Sequence, residues 1–166
     1  SMSAEPTQCA RDLIATSSVL VFVCSGNVLR SAFGDLLARH LQLPFERIVS
    51  CATTYQNHRI FPESRAALIE RGVPAGMCDA HVPRLTGDPS FVRDVGDPSK
   101  AVFLCMTSSH MRSMPKAWQP RSVLILELLG RCNEDIADPY FDGNYEEAFR
   151  DIDACVRMIR SMSGKR

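Results

Sequence analysis

Residues Val19 to Val23 read V-L-V-F-V and run directly into C-S-G-N-V-L-R-S at Cys24 to Ser31. An uninterrupted β-branched and aromatic run of this length suits a strand buried on both faces. Beyond it come Gly26 and Asn27, which accept positive φ, and then a helix-like stretch from Ser31. A buried strand that feeds a tight loop and a helix puts that loop outside the carboxyl end of a sheet, where open α/β folds bind ligands. Cys24 and Arg30 lie there with five residues between them. The N–H groups of the loop (Ser25, Gly26, Asn27, Val28, Leu29) and of the helix start converge on one point, and the helix end adds partial positive charge. Arg30 supplies a planar fork for two oxygens, and the same field favours the thiolate of Cys24. These parts make a site for a phosphate-sized dianion with a nucleophile aimed at its centre. The alternative, a structural Cys24 with Arg30 on a solvated helix face, leaves the glycine, the asparagine and the strand unexplained.

The remaining chain alternates strand and helix patterns. A short helix is expected around Arg11 to Ala15, within a loose N-terminal extension over 1–17. The folded domain is expected over 18–163. The helix from Ser31 to Leu41 carries Phe33, Leu36, Leu37 and Leu41 on one face. Strand Arg47 to Cys51 precedes a loop from Thr53 to Pro62, and helix Glu63 to Arg71 is closed by Gly72. Strands are expected at Ala101 to Met106 and Ser122 to Leu126, with a helix at Ser109 to Met114 between them and a last helix at Tyr145 to Ile159. This alternation implies an α/β single domain, a four-stranded parallel sheet with helices on both faces in flavodoxin-like fashion.

Nineteen basic and nineteen acidic residues cancel, which argues against nucleic acid or a membrane surface as partner. With 45% hydrophobic residues in a chain of 166, one core can be filled. Ser1 before Met2 has the form of a scar from a cleaved tag, and neither a secretory signal nor a spanning segment is expected. Seven cysteines without C-x2-C pairs point to free thiols in a reducing cytoplasm and to no metal site. The even spacing of Cys24, Cys51, Cys78, Cys105 and Cys132 is a coincidence, because their flanking residues share nothing.

Phosphoryl transfer through Cys24 needs an acid for the leaving oxygen. His40, His58, His81, His110 and several carboxylates are candidates; Asp138, in I-A-D-P-Y-F, sits where a proline fixes the backbone just after it. By itself it is an ordinary Asp-Pro turn. Taken together, V-L-V-F-V-C-S-G-N-V-L-R-S, the strand V-F-L-C-M, E-L-L-G at Glu127 to Gly130 and A-D-P-Y resemble the low-molecular-weight protein tyrosine phosphatase family, in the family's order, over about residues 18–160. The resemblance implies the phosphotyrosine phosphatase I-like fold, with Cys24 as nucleophile, Arg30 as phosphate clamp and Asp138 as general acid. In the second step Asp138 acts as base on the water that releases the phosphocysteine. It further implies that Asn27 holds the loop in a left-handed turn, that Ser31 donates to the Cys24 thiolate, and that Ser50 and His81 steady Asn27. No cofactor is implied. Phosphate and vanadate are the expected active-site anions, phosphotyrosine proteins the substrates, and a monomer or weak dimer the assembly.

A phosphotyrosine pocket wants depth and aromatic walls, which Tyr140 and Phe141 supply, and Val28 in place of the threonine of phosphoarginine-directed members favours an aryl phosphate. The chain departs from the family pattern at Leu29, where a second cysteine usually precedes the arginine, and at Ala32, usually proline. It departs again at Thr54 to Arg59, where Tyr55 or Gln56 takes the aromatic wall position and Arg59 replaces a small residue. Arg59 and His58 at the rim suit acidic phosphopeptides. The competing readings are a non-catalytic phosphoryl-binding module, a phosphoarginine phosphatase and an arsenate reductase.

Overall fold

In the computed structural model, which describes residues 4–164, four parallel strands form one sheet in the order β2-β1-β3-β4. They are β1 (Val19–Cys24), β2 (Arg47–Ala52), β3 (Ala101–Cys105) and β4 (Ser122–Leu124). Every residue of β1 is buried, as its continuous apolar run requires, because alternate side chains enter two different cores. Leu20, Phe22 and Cys24 join the larger core, while Val19, Val21 and Val23 join the smaller one on the opposite face.

The larger core is covered by α1 (Gln8–Ala15), α2 (Arg30–His40) and α8 (Tyr145–Ser163). Helix α2 is buried from Arg30 to Ala38, since it lies between the sheet and α8. Phe33 stacks on Phe149 at 4.6 Å, and Gly34 meets the ring of Phe22 so closely that a Cβ would stand 2.5 Å from it. The smaller core is closed by Phe91 and Val95 of α5 (Pro89–Val95) and by Met114 and Trp118, with Trp118 stacked on Phe103 at 4.9 Å. Helices α3 (Pro62–Glu70), α4 (Ala75–Asp79), α6 (Ser108–Ser113) and α7 (Pro139–Asp142) complete the chain. Among the described residues no helix is long and apolar enough to cross a membrane.

Three expectations are corrected. The segment 1–17 is not a loose extension where it is described. Thr7 caps α1 by accepting from Ala10 N–H at 3.2 Å, the helix buries Ala10, Leu13 and Ile14, and Arg121 pins its end. The tag scar expected at Ser1 and Met2 lies outside the described residues. The strand expected over Ser122 to Leu126 ends at Leu124, where a 3-10 turn over Ile125–Leu129 buries Ile125, Leu126 and Leu128 and stops at Gly130, φ 72°. The same left-handed closure occurs at Gly72, φ 87°, after α3. Between Gly72 and Ala101, where periodicity indicates no element, stand α4, α5 and a 3-10 turn at Pro98–Lys100.

Candidate active site

The loop from Cys24 to Leu29 leaves β1 and enters α2 with every carbonyl oxygen engaged from outside. Thr53 N–H donates to Cys24 O at 2.9 Å, Thr54 and Tyr55 N–H to Ser25 O at 3.1 and 2.9 Å, and Phe61 N–H to Val28 O at 3.1 Å. Asn57 Nδ2 donates to Gly26 O at 3.0 Å, His81 Nε2 to Asn27 O at 2.7 Å and Ser64 Oγ to Leu29 O at 3.1 Å. All peptide bonds are trans among the described residues, so each carbonyl turned outward turns the next N–H inward. One of these amides, Asn27 N–H, donates to Cys24 Sγ at 3.3 Å. The amides of the loop and of the uncapped first turn of α2 thus form a ring of donors around the thiol, the arrangement that holds an anion.

Asn27 makes that curl possible. Its φ is 57°, a strained value for a side-chain-bearing residue, and its buried side chain is fixed at both ends. Nδ2 donates to Ser31 Oγ at 2.8 Å, and Oδ1 accepts from Arg84 N–H at 3.1 Å. Ser31 Oγ accepts from Asn27, and of the two acceptors within reach of its own hydrogen, Cys24 Sγ at 2.9 Å is nearer than Cys51 O at 3.5 Å. At Gly26 a Cβ would approach Asn57 Nδ2 to 2.7 Å, which explains glycine where the two loops press together.

Arg30 is 2% exposed. Nη1 donates to Ile136 O at 2.7 Å, and Nη2 lies 3.5 Å from Ser25 Oγ and 3.4 Å from Asp138 Oδ2. Nε is buried without a hydrogen-bond partner among the described residues, a costly state for a charged donor. Nε and Nη2 form the edge of the guanidinium that a tetrahedral oxyanion engages with two oxygens. Asp138 caps α7, with Oδ1 accepting from Tyr140 N–H at 3.0 Å, so Oδ2 is the oxygen turned toward the loop.

The partners around Asn27 differ from expectation at one position. His81 does bind the Asn27 carbonyl, and burial pushes its pKa down, keeping the ring neutral with its proton on Nε2. Ser50, however, makes no hydrogen bond to Asn27. Its hydroxyl donates to Asp35 Oδ2 at 2.5 Å, and the other Asp35 oxygen accepts from Arg39 Nε at 2.7 Å. The Arg84 backbone, from a sequence pattern with nothing to announce it, takes the place expected for Ser50.

A cavity of about 440 Å³ opens over the loop. Tyr55, Gln56, Tyr140 and Phe141, all expected as wall, line it together with Asn57 and Phe61. Tyr55 is the aromatic of its segment, while the Gln56 amide turns to Asn57 O at 2.8 Å. Phe61 sits edge-on to Tyr140 at 6.1 Å and carries the wall that sequence reasoning missed. His58 and Arg59 are exposed and outside the lining. His110, one of several acid candidates, has its Nε2 bonded to Ser25 Oγ at 2.9 Å instead.

No protein-family model matches the sequence, and no curated protein matches it. Solved structures do match in shape. The chain is 18% identical to the tyrosine phosphatase AmsI of Erwinia amylovora, at TM-score 0.69, covering 87% of this chain and 92% of that one. It is 23% identical to the YwlE arginine phosphatase of Geobacillus stearothermophilus, at TM-score 0.65, covering 89% and 92%. A low-molecular-weight protein tyrosine phosphatase from Bacillus subtilis matches at 18% identity and TM-score 0.66, covering 89% and 97%. The α/β fold of this chain is therefore that of the low-molecular-weight protein tyrosine phosphatases.

Proposed function

We propose that the protein is a cysteine-dependent phosphatase of the low-molecular-weight tyrosine phosphatase family, acting on phosphotyrosine and small aryl phosphates. The observation that carries this reading is the ring of inward amides around Cys24 Sγ, closed by the open edge of Arg30 and faced by Asp138 Oδ2. The Cys24 thiolate attacks phosphorus and forms an S–P bond as the aryl P–O bond breaks. Asp138 passes its proton to the leaving oxygen. Arg30 and the amides hold the three equatorial oxygens, where charge builds in the transition state. A water then attacks phosphorus and gives a proton to Asp138, and the S–P bond breaks to release phosphate and the thiolate. The aromatic wall of Tyr55, Phe61, Tyr140 and Phe141 supports an aryl group as the leaving portion.

The test is hydrolysis of p-nitrophenyl phosphate across pH with chelator present, followed by phosphotyrosine and phosphoarginine peptides. Cys24→Ser should abolish turnover, and Asp138→Asn should lower kcat by roughly 10² to 10⁴-fold. Tight binding of phosphate without Cys24-dependent turnover would instead make the protein a phosphoryl-binding module. Faster release from phosphoarginine than from phosphotyrosine would reassign the substrate.

A further inference from the structure

Ser25 follows the nucleophile directly and lines the cavity, yet the mechanism above uses only its backbone. Its hydroxyl oxygen is approached by two donors. His110 Nε2 lies 2.9 Å from it and Arg30 Nη2 3.5 Å. The histidine's direction is settled on the other side of the ring: Thr107 N–H, which can only donate, points at His110 Nδ1 at 3.0 Å. Nδ1 is therefore the acceptor and Nε2 carries the proton, which it gives to Ser25 Oγ. His110 is 2% exposed, and the helix that carries it is fixed by a reciprocal capping box with Thr107. Burial and the nearby Arg30 charge push its pKa down to about 4, so the ring stays neutral.

With its lone pairs facing the two donors, the Ser25 oxygen has its hydrogen left over, and no acceptor among the described residues lies within reach of it. We infer that Ser25 Oγ–H is an additional side-chain donor to the bound phosphoryl group, and that His110 is a positioning residue which turns that hydroxyl toward the anion. This deepens the phosphatase reading and rests on it only for the identity of the anion. His110 thus has a role other than acid: it moves no proton, and it acts through Ser25 alone. A freely rotating serine would spend part of its time pointing elsewhere; here one orientation is selected before the anion arrives.

The experiment is a double-mutant cycle read by vanadate and inorganic phosphate binding, with p-nitrophenyl phosphate kinetics alongside. Ser25→Ala should weaken vanadate about tenfold, the size of one hydrogen bond to a charged group. His110→Phe, which keeps the bulk and loses the donor, should cost a similar factor. The double variant should bind no more weakly than Ser25→Ala, because histidine without the serine hydroxyl has nothing to direct. His110→Gln, which restores an N–H near the Nε2 position, should recover binding while Ser25 is intact and change nothing in the Ser25→Ala background. Should His110→Phe fail to fold, His110→Met, which also lacks the donor, closes the cycle in its place. Multiplying losses in the double variant would reduce His110 to packing and overturn the inference, as would unchanged vanadate affinity in Ser25→Ala. If the wild type binds vanadate but does not turn over substrate, the phosphatase reading fails while the Ser25–His110 cycle is still measured.

Discussion

Two buried histidines hold the loop from opposite sides, His81 at the Asn27 carbonyl and His110 at the Ser25 hydroxyl. Both have pKa values pushed below the usual 6.5, chiefly by burial. The unfolded chain therefore takes up protons near pH 6.5 that the native protein refuses until, for His110, about pH 4. Native stability should fall as pH drops through that window, and His110 alone should contribute up to about 1.4 kcal/mol per pH unit to the slope. Urea titrations at stepped pH should show a shallower decline in His110→Phe than in the wild type; parallel slopes would contradict the assignment. At this scale, Cys24, Arg30, Ser31 and Asn27 were legible because one local motif holds them all. Asp138 needed the family pattern beside it. His110 lies 85 positions from Ser25 and Arg84 57 from Asn27, and no spacing rule connects residues that only the folded sheet brings together. Ser50 was misplaced for the converse reason: a pattern says which residue is present, while the neighbouring carboxylate of Asp35 decides where its hydroxyl points.

Among the elements, the packing of α2 on β1 turns on Gly34. Its missing side chain lets the helix approach the Phe22 ring, and this same helix presents the amides and Arg30 to the cavity. Gly34→Ala gains helix propensity but forces the two apart, so we expect a net loss of roughly 1–3 kcal/mol with a concurrent drop in phosphate affinity. Calorimetry and phosphate titration of one sample measure both, and an unchanged melting temperature would contradict the close contact. The long elements were legible from periodicity: the strands at 19–23 and 47–51 and the helices starting near 31 and 145 all fall within a residue or two of their places. Of the short ones, the helix expected at Ser109 to Met114 is found as α6 (Ser108–Ser113), and three others were not legible. Helices α4, α5 and α7 have 5, 7 and 4 residues, too few to repeat a 3.6-residue pattern, and they form because caps and buried anchors such as Phe91 and Val95 hold them. The run after β4 reads as more strand because its residues are apolar, but burial alone cannot distinguish a strand from a 3-10 turn.

Across the whole molecule, the N-terminal helix belongs to the fold. Arg121 donates through Nη2 to Ser17 Oγ at 2.7 Å and Thr16 Oγ1 at 3.1 Å, and through Nε to Ala101 O at 2.9 Å, tying the end of α1 to the start of β3. Removing residues 1–17 should expose the pockets of Leu13 and Ile14 and cost about 3–6 kcal/mol, seen as a lower urea midpoint; an unaltered midpoint would restore the loose extension. A second tie crosses the chain at the site. Ile136 N–H donates to Met106 O at 2.8 Å, Ser108 N–H to Asp135 Oδ1 at 2.9 Å, and the Ile136 carbonyl receives Arg30 Nη1. The same few bonds anchor the segment that carries Asp138 and brace Arg30. A local opening that lifted this latch would swing Asp138 away and free the guanidinium in one movement, while the Cys24 cradle would stay held from the Thr53 to Ser64 side. On the proposed phosphatase reading, activity would then be lost in an all-or-none step that precedes global melting, in a molecule whose thiol still sits in its ring.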